Sequence, residues 1–159
     1  MSISHVKLSA PADSPNTDGI HIGTSRNIKI SKSVIGTGDD CVSMVSGSQS
    51  IEVNGVACGP GHGISIGCLG RGHEHEYVKG ITGHSSSAVQ IQDVTFKNIF
   101  GVSSTEVAVN LQCSKAMPCK NVKLINIDLA YDGPGRRATS LCSNVIASSS
   151  GKLVPGGCI

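Results

Sequence analysis

The feature that most constrains the fold is a repeat of short segments in which apolar and polar residues alternate. The segments that contain Ile20, Val42 and Ile64 follow one another at identical steps. A second set lies between them, in which Ile28 and Ile51 are separated by almost the same step. Two or more short strands per turn of about twenty residues are typical of a parallel β-helix, in which each coil buries its apolar side chains against its neighbours.

Composition supports an all-β chain. The 159 residues include 20 Gly, no Trp, two Tyr and two Phe, and many Ile and Val stand among Ser, Asn and Thr, which favours strands and turns. The alternative is an antiparallel sandwich, which also has short strands at regular spacing but does not require a near-constant step at three successive positions. We therefore predict one all-β domain over residues 1–159, built as a partial parallel β-helix.

Charge and hydropathy exclude some functions. The net charge is +2 and no run of Lys or Arg is longer than Arg136–Arg137, so a nucleic-acid partner is not expected. No apolar stretch is long enough to cross a bilayer, and the first residues lack the apolar core of a signal peptide. Seven cysteines nevertheless favour a secreted, disulfide-bonded protein. The two observations agree if a secreted parent begins upstream of Met1.

The repeat fails once, after Ile51. The next comparable segment is near Ile81, a longer step than the others, and Val94 then follows after little more than half of the usual step. Because each strand residue advances the chain by a nearly fixed length, such a short step cannot form a coil of the same girth as the others. Either the segment around Ile81 is not a strand, or part of the solenoid has been removed between Thr82 and Val89.

Acidic residues and a histidine share one phase of the repeat. Asp18, Asp40 and His62 each stand two residues before an aligned segment, with Asp39 adjacent. Equivalent positions on successive coils stack about 4.8 Å apart, so we expect a column of these side chains. Taken singly, each turn is ordinary turn chemistry, but turn propensity does not explain acid, acid and imidazole in one column. Carboxylates this close cannot all ionise normally, so we expect one to stay protonated at mildly acidic pH, as a glycosidase requires.

The sequence around this column resembles signature blocks of the plant polygalacturonases of glycoside hydrolase family 28. The similarity lies in SPNTDGIHI (14–22), GTGDDCVS (36–43) and CGPGHGISIG (58–67), and it continues in CSKAMPC (113–119), CSN (142–144), Pro155 and Cys158. The resemblance implies a right-handed parallel β-helix of the pectin lyase-like class. It also implies hydrolysis of α-1,4-galacturonosyl bonds of pectin, with inversion, by a secreted, monomeric cell-wall enzyme that needs no cofactor and no metal ion.

The resemblance assigns roles to the column. Asp39 is expected to protonate the glycosidic oxygen, Asp18 and Asp40 to hold and activate water, and His62 to tune the proton of the acid and bind near the scissile bond. Stacking alone would place Asp18 and Asp40 about 5 Å apart, a spacing associated with retention of the anomeric configuration. We follow the resemblance, because the path from water to acid depends on side-chain directions that stacking does not give.

Substrate binding is where the sequence departs from the family. By resemblance, Asn16, Gly61 and Gly63 shape the floor of the cleft. The Arg-Ile-Lys block, whose cations bind substrate carboxylates in the family, is absent, and its loss should remove much of the binding and positioning energy. Arg71 and Lys79 are the best remaining cations. We interpret the run HEHE (73–76) between them as a solvated loop rather than a zinc site.

The missing block and the short step of the repeat fall at the same place, so both indicate an internal deletion near residues 82–89. The N-terminal coils of the family are also expected to be absent. The cysteines follow the family pattern, which leaves Cys68 without a partner and implies three disulfides: Cys41–Cys58, Cys113–Cys119 and Cys142–Cys158.

Two functions remain open from the sequence. The first is an active polygalacturonase, with motif contexts similar to those of plant exo-acting pollen enzymes. The alternative is a catalytically impaired relic that retains pectin contact but lacks the substrate-binding cations. A purely structural solenoid is disfavoured by the acidic column.

Overall fold

The protein is described by a computed structural model, which covers residues 1–67, 90–115, 117–135 and 137–158. Arg71, Lys79, Cys68, the run 73–76 and the deletion expected near 82–89 therefore lie outside the described residues. The described part of the chain contains twelve strands: β1 (Ser2–Ser4), β2 (Lys7–Ser9), β3 (Ile20–Ile22), β4 (Arg26–Gly36), β5 (Val42–Met44), β6 (Gln49–Cys58), β7 (Ile64–Ile66), β8 (Gln92–Ser103), β9 (Val107–Gln112), β10 (Cys119–Tyr131), β11 (Thr139–Ser143) and β12 (Val145–Val154).

The strands form two sheets, and every pair within them is parallel. The long-strand sheet has the order β1-β4-β6-β8-β10-β12, with β2 also paired to β4, and the short-strand sheet has the order β11-β9-β7-β5-β3. The chain thus alternates between the sheets and returns to each one beside its previous strand. This arrangement confirms the predicted parallel β-helix.

The register confirms the predicted phase of the coils. Ile20 pairs with Val42 and Val42 with Ile64 in the short-strand sheet, while Ile28 pairs with Ile51 in the long-strand sheet. Ile51 then pairs directly with Val94, so β6 and β8 are adjacent strands of the long-strand sheet.

The core is built from the inward positions of these coils. Ile30, Val53, Phe96 and Leu124 stand in register across four successive long strands, and all four are buried. Burial of each such side chain stabilises the fold by roughly 1.5–3 kcal/mol relative to exposure. Because each coil covers the next, the apolar alternation seen in the sequence becomes a continuous column inside the solenoid.

Two corners of the long strands require a left-handed backbone. Asn27, Ser50, Asp93 and Asn121 occupy one corner and have φ between 52° and 57°, a region that Asn and Asp tolerate better than most residues. At this corner the Asn121 amide donates a hydrogen bond to Asp93 Oδ1 at 2.7 Å. Stacked polar side chains therefore stabilise a backbone conformation that would be costly for most other residues.

The second corner carries a longer ladder of amides. Asn98 Nδ2 donates to Asn54 Oδ1 at 3.0 Å, and Asn126 Nδ2 donates to Asn98 Oδ1 at 3.1 Å. Asn98 and Asn126 both have φ of +51°. Each amide of this ladder links its coil to the neighbouring one.

Disulfides join the predicted cysteine pairs: Cys41–Cys58, Cys113–Cys119 and Cys142–Cys158. The first has a Cα–Cα distance of 5.6 Å and closes a segment of 17 residues. Cys41 is the last residue of the connection between β4 and β5, and Cys58 ends β6. This bond therefore fixes two successive coils next to the turn that carries Asp39 and Asp40.

Candidate active site

The connections that lead from the long-strand sheet to the short-strand sheet carry the candidate residues. Asp18 precedes β3, Asp39 and Asp40 lie between β4 and β5, and His62 lies between β6 and β7. Because β3, β5 and β7 are paired in register, these turns lie one above another. The structure brings all four side chains, together with Asn16, to the wall of one cleft of about 300 Å³.

Two serines orient the carboxylates of the column. Ser43 Oγ donates a hydrogen bond to Asp18 Oδ2 at 2.5 Å, and Ser65 Oγ donates one to Asp40 Oδ2 at 2.5 Å. Each serine lies 25 residues after its aspartate, on the following coil. The repeat of the chain thus makes the same Ser–Asp contact twice and holds both carboxyl groups toward the cleft.

Asp39 and His62 form a second arrangement across adjacent coils. His62 Nδ1 lies 3.0 Å from Asp39 Oδ1, and the His62 backbone N–H donates to the Asp39 carbonyl oxygen at 2.8 Å. The Asp40 backbone N–H donates to Asp39 Oδ1 at 2.9 Å. Both side chains remain partly exposed, so Asp39 is held in place while its second carboxyl oxygen can reach the cleft.

Asp40 is the carboxyl that the fold perturbs most clearly. Desolvation by burial is the largest cause that raises the pKa of Asp40 from 3.8 to about 6. The hydrogen bond from Ser65 lowers this pKa, the negative charges of Asp18 and Asp39 raise it, and His62 lowers it. One carboxyl of the column therefore retains a proton at mildly acidic pH, as the sequence predicts. In the free chain that carboxyl is Asp40, whereas the resemblance gives the acid role to its neighbour Asp39.

Gly61 and Gly63 have a steric reason to be glycine. A Cβ on Gly61 would lie 2.5 Å from the carbonyl oxygen of Asp39, and one on Gly63 would lie 2.1 Å from that of Ala108. Both residues have positive φ, +143° and +87°, which favours glycine. They let the His62 turn pass close to its neighbours, and their contact with substrate stays a prediction.

The outward positions of the short strands were missed by the sequence reasoning. His21, Ser43, Ser65 and Asn110 are in register across four strands, and all four line the cleft. His21 Nδ1 lies 2.8 Å from Ser43 Oγ and 3.3 Å from Asp18 Oδ2. The signal was available, because these are the polar members of the alternating segments that define the repeat.

In the described part of the next coil, an apolar residue occupies the position that corresponds to His62. Ile64 pairs with Val109, so Val107 occupies on this coil the position that His62 has on the preceding one. Among the described residues, the cleft wall contains no Lys or Arg. The positions where the sequence analysis expected cations, Arg71 and Lys79, are not among those residues.

Asp39, Asp40 and His62 also offer one potential metal ligand each, with the three atoms within 4.8 Å of one another. Their hydrogen bonds use part of this donor set, because His62 Nδ1 contacts Asp39 and the Asp40 carboxyl accepts from Ser65. We therefore interpret the arrangement as a hydrogen-bonded acid–base cluster rather than as a metal site.

Comparisons with known proteins find one family model and a set of plant relatives that this chain is similar to. The family model described as "Glycosyl hydrolases family 28" matches residues 1–86 and 74–151. An exopolygalacturonase of Arabidopsis thaliana, clone GBGA483, is 37% identical over 214 residues, which cover 99% of this chain and 48% of the relative. The exopolygalacturonase of Platanus acerifolia is 36% identical, with 98% and 56% covered, and a polygalacturonase of Cryptomeria japonica is 38% identical, with 94% and 40% covered. The chain spans about half the length of these relatives.

Proposed function

Because the chain belongs to glycosyl hydrolases family 28, we propose that it hydrolyses α-1,4-galacturonosyl bonds of polygalacturonate, the acidic polymer of pectin. The observation that carries the proposal is the cleft in which three successive turns place Asp18, Asp39, Asp40 and His62 together. One carboxyl of this group has a pKa raised to about 6. Bond hydrolysis requires this combination, in which one carboxylic acid can donate a proton and a carboxylate can activate water.

The proposed reaction assigns a proton path to each group. Asp39 donates a proton to the glycosidic oxygen as its bond to the anomeric carbon breaks. Water held by Asp18 and Asp40 attacks that carbon from the opposite face and gives up a proton to one of these carboxylates. His62, 3.0 Å from Asp39, orients the acid. The anomeric configuration is inverted, because a single displacement occurs.

The proton on the cluster must move before this step. In the free chain burial places it on Asp40, whereas the reaction needs it on Asp39 and needs Asp40 as an acceptor. The two carboxyl groups are adjacent, and Asp39 Oδ1 already accepts the Asp40 backbone N–H at 2.9 Å. The proton that Asp40 holds at mildly acidic pH therefore has a short path to Asp39. Activity is therefore expected to fall as pH rises above the Asp40 pKa of about 6, since Asp40 then no longer holds the proton that the reaction requires.

The alternative function is binding without turnover. The absence of Lys and Arg from the described part of the cleft wall favours it, because each sugar of the substrate carries a carboxylate that needs a positive partner. In that case the acidic column persists in a relic that contacts pectin weakly.

Release of reducing ends from polygalacturonate separates these functions. Wild-type chain is compared with Asp39→Asn, and a third sample, Asp13→Asn, alters an exposed carboxylate outside the cleft. Hydrolysis is supported if wild type and the Asp13 variant release reducing sugar and the Asp39 variant does not. Equal, negligible release from all three supports the relic. Sizing the products separates terminal attack, suggested by the names of the first relatives, from internal attack.

The remaining proposals concern the context of the chain. Three disulfides support a secreted protein acting in the cell wall, and we propose that it acts as a monomer. No helix in the described ranges is long and apolar enough to cross a membrane.

We also propose that an internal segment is missing near residues 82–89, because an alignment of 214 residues exceeds the 159 of the chain and the two family matches overlap at 74–86.

A further inference from the structure

A second concave surface lies beyond the candidate active site along the solenoid. This distal cleft has a volume of about 510 Å³, and its walls include Tyr131, Arg137, Ala138, Leu153 and Pro155. Its residues come from the end of β10, the connection between β10 and β11, the end of β12 and the residues that follow β12. None of them takes part in the acid–base cluster.

The distal cleft adjoins the active-site cleft. Thr139 pairs with Val107, and its backbone N–H donates to the carbonyl oxygen of Glu106 at 2.6 Å. Arg137, two residues before Thr139, therefore stands on the coil next to Thr105, which lines the active-site cleft. Arg137 occupies the same kind of turn, from long to short sheet, as the residues of the acidic column.

The spacing of coils gives the distance between the two clefts. The turns that carry Asp39, His62, Thr105 and Arg137 belong to four successive coils, so Arg137 lies about 14 Å from Asp39 along the solenoid axis, at about 4.8 Å per coil. The active-site cleft is itself lined by turns of several coils and so runs along this axis. A single sugar cannot reach both places, but a polymer lying along the axis can.

The side chains of the distal cleft match an acidic sugar. Arg137 is exposed and has no ion pair with any carboxylate in the described part of the chain, so its guanidinium is available for a bidentate contact with a carboxylate. The ring of Tyr131 packs closely on Gly133, where a Cβ would lie 2.1 Å from the ring. Tyr131, Leu153 and Pro155 all line the distal cleft and offer apolar surface to the C–H face of a sugar.

We infer that the distal cleft is a subsite that binds a uronate unit of the same polysaccharide, several sugars from the bond that is cleaved. This inference rests on the proposed function. It assigns to Arg137 the carboxylate contact and to Tyr131 the contact with the sugar face. The subsite supplies a positive charge that the described wall of the active-site cleft lacks.

Binding of galacturonate oligomers tests the inference. Calorimetric titrations use the Asp39→Asn chain, so that the probes stay intact, with digalacturonate and hexagalacturonate. Arg137→Gln and Tyr131→Leu are added separately, and Arg26→Gln is the matched control because Arg26 is exposed at the start of β4, at the opposite ends of the long strands. A thermal transition measured for each variant establishes that it is folded.

The expected result is that hexagalacturonate binds more tightly than digalacturonate, and that Arg137→Gln lowers the affinity for the hexamer about tenfold, the usual effect of losing a charge-assisted hydrogen bond. Tyr131→Leu acts in the same direction, and Arg26→Gln leaves both affinities unchanged. The inference is overturned if folded Arg137→Gln binds the hexamer as its parent does, or if affinity does not rise with length. Reducing-sugar release by the chain with intact Asp39 is scored separately, so that loss of the subsite and loss of the proposed activity remain distinguishable.

Discussion

Asp40→Asn should increase the stability of the fold at neutral pH. Desolvation and neighbouring charges raise the pKa of Asp40 from 3.8 to about 6. Between these values the folded chain keeps the proton while the unfolded chain releases it, so the folded state binds more protons and loses stability as pH rises. Raising the pKa from 3.8 to about 6 corresponds to about 3 kcal/mol. Above the raised pKa, the charged Asp40 carboxylate lowers the free energy of unfolding by this amount.

Asparagine keeps the shape of Asp40 and an oxygen that can accept from Ser65, but it does not ionise. The difference in unfolding free energy between variant and wild type should therefore be small near pH 4 and should reach about 2–3 kcal/mol in favour of the variant by pH 7. Urea unfolding at intervals from pH 4 to pH 8 measures this difference, and contributions of other groups cancel in it. Asp13→Asn, which alters an exposed carboxylate, is the control and should show no such trend.

Parallel stability profiles for wild type and Asp40→Asn would refute this reasoning, because they would mean that Asp40 titrates alike in the folded and unfolded chain. The predicted profile would instead identify Asp40 as a group kept at some cost in stability. Such a cost is common where side chains are arranged for chemistry rather than for folding.

Three further predictions concern side chains that support the site or the coils. Ser65→Ala should raise the pKa of Asp40 further, because the hydrogen bond from Ser65 lowers it; carboxyl NMR titration measures this, and no upward shift would contradict it. Replacing Cys41 and Cys58 by Ala should cost about 3 kcal/mol in urea unfolding, the loop entropy of 17 residues, and an unchanged midpoint would count against it. Asn98→Ala should lower the free energy of unfolding in urea by about 2–3 kcal/mol, and Asn98→Gly should lower it by about 1 kcal/mol less, because glycine tolerates the positive φ at this position. Equal losses in the two variants would exclude backbone strain as the cause.

The architecture was predictable because it depends on a period. The equal steps from Ile20 to Val42 and from Val42 to Ile64 already imply that these residues pair, and their register does so. Once the coils are in phase, Asp18, Asp40 and His62 must share a turn. The sequence therefore indicated the acidic cleft without any knowledge of side-chain directions.

Side-chain contacts were not predictable to the same extent. The sequence implied that one carboxyl would keep a proton, but the choice of Asp40 depends on burial, which follows from the packing of the turn and not from its composition. The Ser–Asp contacts were overlooked because Ser43 and Ser65 fill ordinary outward positions of strands. Asn98 was likewise an unremarked polar residue until the corner gave it a positive φ and two amide partners.

The register also explains why the irregular step was ambiguous. Ile51 pairs with Val94 although nearly two ordinary steps of the repeat separate them in the sequence, so a simple count cannot distinguish a long excursion from a missing coil. The direct contact of β6 with β8 fixes the neighbours of the active-site coil. Val107, rather than a cation, therefore occupies the position on the following coil that corresponds to His62.

The most direct test of the account is the configuration of the first product formed from polygalacturonate. Proton NMR recorded during the early phase of hydrolysis distinguishes the β-anomer, formed by a single displacement on an α-linkage, from the α-anomer. The account predicts that the β-anomer appears first with the wild-type chain and that Asp39→Asn gives no product. Initial formation of the α-anomer, or equal product from both chains, would contradict the assignment of Asp39 as the acid of an inverting pair.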